Sequence, residues 1–477
     1  MQSTSCSAQG TSWAAGLELA GDDERLVAHA GVLPPRLLAG RLGLTGGLSA
    51  AMRRPGFEPV YDRGQVLVDL ALTLISGGEA ISDFRALAHL APVIGPVPSV
   101  PTAWRTLSEI GDLQLIRVNA AVTQFRRHWW SLLSARPEGF PWLKVAGREL
   151  TGITVVDLDA SIVFARSDKK ENAVATYKGG IGFCPNLAAC DNTGDMLAID
   201  PRPGNSTSNC AADNIALLDL AVSRLPGPFR HNMLFRLDGA GFSHELLGHI
   251  AANGGKRGRH WEFSVGWSCT DVEMDAIARI PGEAWSPGTD QAGEVLEDTR
   301  VAELTGLLDL GAWTEKIPGL RILVREEPLH PRYLKRATER EIRLGRRYQL
   351  IATNTRQGQH AWLDARHRSH VHVENDVKQA KALGLNRWPS RRWAINVAWT
   401  QIVLLAANIL AAFRHLALPP GELRDAAPKL LRFRFLHVPG RLTRGQRKRW
   451  LHLRRDWPWT PGIISAWNAV RTLPAPA

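Results

Sequence analysis

The chain has 477 residues, and 58 Lys and Arg against 46 Asp and Glu leave it a net charge of +12. That length exceeds what one compact domain usually needs, and an ordinary 44% hydrophobic fraction excludes a disordered polymer. The basic balance points to a polyanionic partner, whereas five cysteines with no CxxC pair argue against a disulfide framework or a zinc finger.

Residues 1–60 are rich in Gly and Ala with weak periodicity and read as a loosely ordered N-terminal arm. Residues 61–148 read as a helical domain. Gln65–Leu74 forms one helix closed by Gly77 and Gly78, Ser82 and Asp83 cap a second to about Leu90, and Ser99, Pro101 and Thr102 start a third bearing Trp104 and Arg105. A helix-turn-helix that reads DNA would look like this, as would a plain helical bundle. From Leu150 the period changes. Ile153–Val156 is a β-branched run ending in Asp157-Leu158-Asp159, Ala173–Phe183 contains a second strand, and Met196–Ile199 is a short third. Asp213–Ser223 reads as a helix, Met233–Leu237 as a strand ending at Asp238, His244–Ala252 as a helix and Trp261–Val265 as a strand, an α/β order over 149–267. Residues 268–364 are mixed, with strand-like Arg321–Val324 and Tyr348–Ala352. A helical pattern returns over Ser369–Leu383, within a segment 365–418. Ala394–Phe413 is apolar enough for a membrane check. Asn396, Thr400, Gln401 and Asn408 interrupt it, which favours a buried helix. No charged n-region precedes an apolar core at the N-terminus, so a cytoplasmic, nucleoid-associated location and no membrane partner are expected. The C-terminal region 419–477 is basic, dense in Arg from Arg432 to Arg455.

Four acids stand out. Strand alternation places Asp157 and Asp159 on one face, Asp238 follows a second strand beside permissive glycines, and Glu374 lies in the late helix with Lys378 and Lys381 along one side. Carboxylates at two strand ends plus one on a helix suit Mg²⁺, and two such ions about 3.5–4 Å apart clamp the attacking and leaving oxygens of an in-line phosphoryl transfer. Taken singly, each acid has an ordinary explanation as a helix cap or a solvated ion pair.

At these residues the chain resembles the DDE transposases of bacterial insertion sequences, in the IS4-like group and most closely the IS1380 family. Asp159-Ala160-Ser161 is similar to the first motif, Arg236-Leu237-Asp238-Gly239-Ala240-Gly241-Phe242 to the second, and His367-Arg368-Ser369-His370 with Glu374 and Lys381 to the third. Gly384-Leu385, Pro389-Ser390, Asp62-Arg63-Gly64-Gln65 and Pro101-Thr102-Ala103-Trp104-Arg105 extend the likeness over most of the chain. The wider group carries Tyr and Arg where this chain has His367 and His370. Histidine donates to phosphate most strongly when protonated, and Arg368 is adjacent.

The resemblance implies an RNase H-like core, a mixed five-stranded sheet with helices, interrupted over 268–364 by a β-rich insertion domain. It implies Asp159, Asp238 and Glu374 as catalytic metal ligands for two Mg²⁺ ions, with Mn²⁺ as a substitute. Asp157 is the reserve first acid. His367, Arg368, His370, Lys378, Lys381, Arg105, Arg441, Arg444 and Arg447 are the candidate DNA contacts. Trp261, Trp267, Trp285, Trp313 and Trp362 are candidates for base stacking, each otherwise a core residue. The implied partners are double-stranded DNA, as terminal inverted repeats and target, and a second copy of the chain on DNA. The implied activity is cleavage at element ends followed by strand transfer. An RNase H-like endonuclease that does not join strands and a non-catalytic DNA-binding descendant are the alternatives.

Overall fold

A computed structural model describes residues 17–239, 241–445 and 447–476. Cys6, the start of the expected N-terminal arm and Ala240 of the second motif lie outside the described residues.

The rest of the expected arm is largely helical and packed. Helices α1 (Leu33–Arg41) and α2 (Leu44–Met52) bury Leu38, Leu44, Leu48 and Met52. The small residues that blur their periodicity let helices approach closely. A Cβ on Gly64 would lie 2.2 Å from the Ser49 backbone nitrogen, and one on Gly47 would lie 3.2 Å from the Ala121 Cβ. Helix α3 (Arg63–Ile75) begins at Asp62, whose carboxylate accepts from the Gln65 N–H at 2.7 Å, an N-cap on a helix that is apolar nearly all round. A 3₁₀ segment (Ile81–Leu90), α4 (Val100–Ser108) and the long α5 (Asp112–Ser134) complete this layer.

The centre of the molecule is one nine-stranded sheet. Its strands in chain order are β1 (Thr154–Ala160), β2 (Asn186–Cys190), β3 (Asp195–Asp200), β4 (Asn232–Leu237), β5 (His260–Trp267), β6 (Ser286–Thr289), β7 (Val295–Glu303), β8 (Arg321–Pro328) and β9 (Arg346–Thr353). The spatial order is β6-β7-β8-β9-β5-β4-β1-β2-β3. Strand β4 pairs in parallel with both β1 and β5, and every other pairing is antiparallel. Helix α6 (Ala211–Ser223) connects β3 to β4, and α7 (His244–Gly254) connects β4 to β5.

Two expectations change here. Ala173–Phe183 supplies no core strand. Its pieces Val174–Ala175 and Ile181–Phe183 join Val163–Phe164 in a separate three-stranded flap, and the second core strand is β2, whose Asn-Leu-Ala-Ala-Cys lacks β-branched residues and so gave no strand signal. The expected five-stranded core also has no self-contained insertion sheet beside it. Residues 268–364 contribute β6 to β9, which extend the same sheet from the β5 edge.

Helices α8 (His360–Arg368) and α9 (His372–Ala380) lead into α10 (Trp393–Ala417). Helix α10 is long and apolar enough to cross a membrane, yet it is mostly buried, against β3, α3 and α5. Its two asparagines have partners inside the protein. Asn408 donates to the Met196 carbonyl at 2.8 Å and accepts from Arg126 at 2.6 Å, and Asn396 pairs both ways with the Ser390 backbone at 3.0 Å. The chain ends in a hairpin, β10 (Gly440–Gly445) and β11 (Lys448–Leu453), and helix α11 (Thr460–Thr472).

Candidate active site

The site grows from the register of two parallel strands. Phe235 faces Val156 and Arg236 faces Asp157 across the β4–β1 ladder. Continuing that register by two residues sets Asp238 beside Asp159. The same face therefore carries two layers, an inner one of Asp157 with Arg236 and an outer one of Asp159 with Asp238.

The inner layer is closed. Asp157 is fully buried and accepts from Arg236 Nε at 2.7 Å and Nη2 at 2.6 Å, while His370 Nδ1 donates to its Oδ1 at 2.8 Å. Burial pushes the Asp157 carboxyl up, but the Arg236 charge and the hydrogen bonds from His370 and Arg236 together outweigh it and hold the group below the usual carboxylate range. Arg236 also binds Asp191, just past β2, and the Ser369 hydroxyl. His372 Nδ1 reaches Asp191 at 3.1 Å. One buried guanidinium thus ties β1, β4, the end of β2 and the turn before α9 into one unit.

The outer layer is open. Asp159, Asp238 and Glu374 line a single cleft of about 620 Å³, together with Gly239, Trp267, Gln349, His367, Arg368 and His370. Asp157 is not part of its wall. Burial, and next the charge of Asp238, raise the Asp159 carboxyl to about 6. Close backbone packing shapes the floor: a Cβ on Gly266 would lie 2.8 Å from the Gly239 nitrogen, so only glycine lets the end of β5 pass beneath the Asp238 turn. Glu374 stands on the first turn of α9, which packs on β1 and β2 through Val373, Val377 and Ala380. Its side chain is 65% exposed and meets Lys378 at 3.5 Å. Among the described residues, no three His, Cys, Asp or Glu side chains cluster tightly enough to hold a metal ion. The arrangement is a carboxylate pair with a third carboxylate across the cleft.

The candidate DNA contacts divide. Arg368 is exposed on the cleft wall and donates to Gln349 at 3.2 Å. Lys378 and Lys381 lie along and just past α9, Lys381 half-buried. His367 is hydrogen-bonded to the Ser264 hydroxyl at 3.0 Å, and burial, with the charges of His370 and Arg236, lowers it to about 3. A ring lowered that far is held in its neutral form, in which histidine donates less strongly to phosphate. Arg105 is exposed on α4, and Arg441, Arg444 and Arg447 are exposed on the β10–β11 hairpin; none of the four lines the cleft. A larger groove, about 1020 Å³, runs between β11 and α11, but it presents no carboxylate. Of the tryptophans, Trp261 is buried against Phe235, Trp285 and Trp362 lie under Arg300 and Arg366, and Trp313 packs on Trp267. Trp267 alone of the five reaches the cleft.

Asp191, Ser264 and His372 were not evident from the sequence as part of this site. Arg236 and Ser369 carried a signal only as members of the second and third motifs, and the part Arg236 plays needed the β1–β4 register to become visible.

No curated protein matches the chain. Among solved structures, it is similar to a piggyBac transposase synaptic complex with hairpin DNA, at 12% identity and a TM-score of 0.40, covering 85% of this chain and 79% of that one. The family profile described as "Transposase DDE domain group 1" matches residues 14–475, nearly the whole chain. The chain belongs to that DDE transposase family.

Proposed function

We propose that the chain cuts DNA at the ends of an insertion element and joins the freed 3′ ends to target DNA, using Asp159, Asp238 and Glu374. The observation that carries this reading is their convergence on one open cleft from two strand ends and a helix. The sheet supports it too. Strand order β3-β2-β1-β4-β5, with β1, β4 and β5 parallel and β2 reversed, has the form of an RNase H-like core, with the 268–364 segment as an insertion extending it. Assignment to the IS1380 branch rests on the third motif and its spacing.

The donor set fits a hard divalent cation. The carboxylate oxygens of Asp159 and Asp238 stand close enough that one charge raises the other group, the mark of a site short of positive charge. Asp159 and Asp238, with Glu374 from the facing helix, would hold Mg²⁺ or Mn²⁺, which when bound supplies Lewis-acid stabilisation of the attacking and leaving oxygens. The protein's own part is positioning. Arg236 and Asp157 fix the strand ends beneath the acids. Asp157 fixes the His370 ring by accepting a hydrogen bond from its Nδ1 N–H, which leaves Nε2 as the second polar atom of a ring that lines the cleft. Arg368, Lys378 and Lys381 supply cations for the DNA backbone. Arg105, Arg441, Arg444 and Arg447 lie outside the cleft and would grip duplex beyond it, with a second copy of the chain serving the second end.

The test is a cleavage and joining assay on DNA carrying the short inverted repeats that flank the gene, with Mg²⁺. Wild-type protein is expected to release 3′ ends and join them to a target plasmid, and Asp159→Asn to bind the same DNA without cutting. Cleavage without joining would establish the nuclease reading instead. Robust cutting by Asp159→Asn would overturn the site.

A further inference from the structure

The flap between β1 and β2 has a tip that the core does not need. Between Ala175 and Ile181 the chain turns tightly. The Thr176 N–H donates to the Gly180 carbonyl at 2.9 Å, the Gly179 N–H to the Thr176 carbonyl at 3.0 Å, and the Thr176 hydroxyl to the Gly179 carbonyl at 3.0 Å. Gly179 and Gly180 both sit at φ 78°, in the left-handed region that glycine favours. The base of the flap is anchored. Phe183 stacks on Trp388 with ring centroids 4.2 Å apart, Lys170 donates to the Trp388 carbonyl, and Glu171 accepts from the Trp393 N–H at 2.6 Å where α10 begins. The turn is therefore a rigid mount, and the two residues on its end are Tyr177 and Lys178.

Their placement is unusual for side chains with no packing role. Tyr177 is 73% exposed, yet it lines a recess of about 50 Å³ together with Asp159 and Asp238. That space holds a water or two, not a base, so a base meeting Tyr177 must lie on the exposed part of its ring. Lys178 Nζ sits 5.6 Å from the centre of the same ring. Lys178 also acts at a distance on Lys381, which follows α9. Burial, and then the Lys178 charge, lower the Lys381 ammonium, while the Asp159 charge favours it. Two lysines from separate elements therefore converge beside the acid pair.

We propose that the Tyr177–Lys178 tip holds the nucleotide next to the reacting phosphate, with the tyrosine ring stacked on its base and Lys178, alongside Lys381, on its backbone phosphate. An unpaired or frayed nucleotide is the ligand class, because a base inside a duplex has no free face to offer. The inference rests on the DNA-cutting reading above.

The test uses the full chain with Ca²⁺, and two labelled oligonucleotides, one a blunt duplex and the other carrying a single unpaired terminal nucleotide. Fluorescence anisotropy reads the affinities. Wild type is expected to favour the unpaired end, Tyr177→Ala to lose about tenfold on that DNA alone, and Tyr177→Phe to keep it. Lys178→Ala is expected to weaken both complexes and to lower the salt dependence by about one phosphate contact. Unchanged preference in Tyr177→Ala, or an unchanged salt slope in Lys178→Ala, would overturn the tip assignment while leaving the DNA reading intact. Failure of wild type to bind either oligonucleotide would overturn the DNA reading itself. Matching melting curves confirm that the variants are folded.

Discussion

Two aspartates two residues apart on one strand have opposite fates. Asp157 is buried, paired with Arg236 and held by His370, and its charge is fully answered. Asp159 lies toward the cleft, and the charge that acts on it most strongly is that of another acid, Asp238, ahead of the favourable charges of His370 and Lys381. Proteins bury charge only where it is paired, and they leave unanswered charge where something else is to bind. On the function proposed above, the pair of layers separates architecture, with Asp157, from chemistry, with Asp159, within one face of one sheet.

The comparison breaks most clearly under neutralising substitutions. Asp159→Asn or Asp238→Asn is expected to lower the cleavage rate by on the order of a thousandfold, with melting temperature unchanged or raised because a repulsion is relieved. Quantitative cleavage kinetics beside thermal melts check both halves, and a destabilised Asp159→Asn would contradict the division. Asp157→Ala is expected to do the reverse in stability, costing about 3–5 kcal/mol in denaturant titrations because it strips Arg236 of its bidentate partner in the interior. A variant as stable as wild type would show that Asp191 alone neutralises the guanidinium.

Acid sharpens the picture of the cleft wall. His367 is neutral in the fold, with its group lowered from 6.5 to about 3. Below pH 6.5 the unfolded chain takes up a proton that the folded chain refuses. The stability due to His367 is complete above pH 6.5 and declines as pH falls toward 3. Equilibrium unfolding from pH 7.5 to 5 is expected to show this decline, and His367→Gln to flatten it. The smallest effect belongs to the rim. Lys378→Ala removes an exposed pair with Glu374 and is expected to change stability by about 0.5 kcal/mol or less, while weakening DNA binding at low salt. A larger loss of stability would mean that this pair is structural after all.

Much of the site was legible from the chain alone, because strand-end and helix positions follow from local pattern. The β-branched run before Asp159, the apolar run before Asp238 and the amphipathic face bearing Glu374 are local signals. What was not legible was set by contacts distant in sequence. Arg236 and Asp157 are 79 residues apart, and Arg236 and Ser369 are 133 apart. The choice between Asp157 and Asp159 rested on the small residues after Asp159. The physical distinction, which one Arg236 covers, required the β1–β4 register. The buried α1–α2 pair was hidden for another reason, since Gly and Ala carry little hydrophobic contrast even when they sit in tight interfaces. Strand β2 was missed because its residues favour no strand in isolation and are held there by neighbours on both sides.

The uninterrupted sheet also sets a length. Eight steps of about 4.8 Å carry one edge strand to the other across roughly 38 Å, a little more than one turn of a DNA duplex. Strands β6 to β9 are hydrogen-bonded through β5 to the strand that ends at Asp238, with no linker between. The far edge of the molecule is thus held at a set span from the acids, as a rule is held to its own zero mark, and a shift at β6 has no hinge in which to be lost before it reaches the cleft.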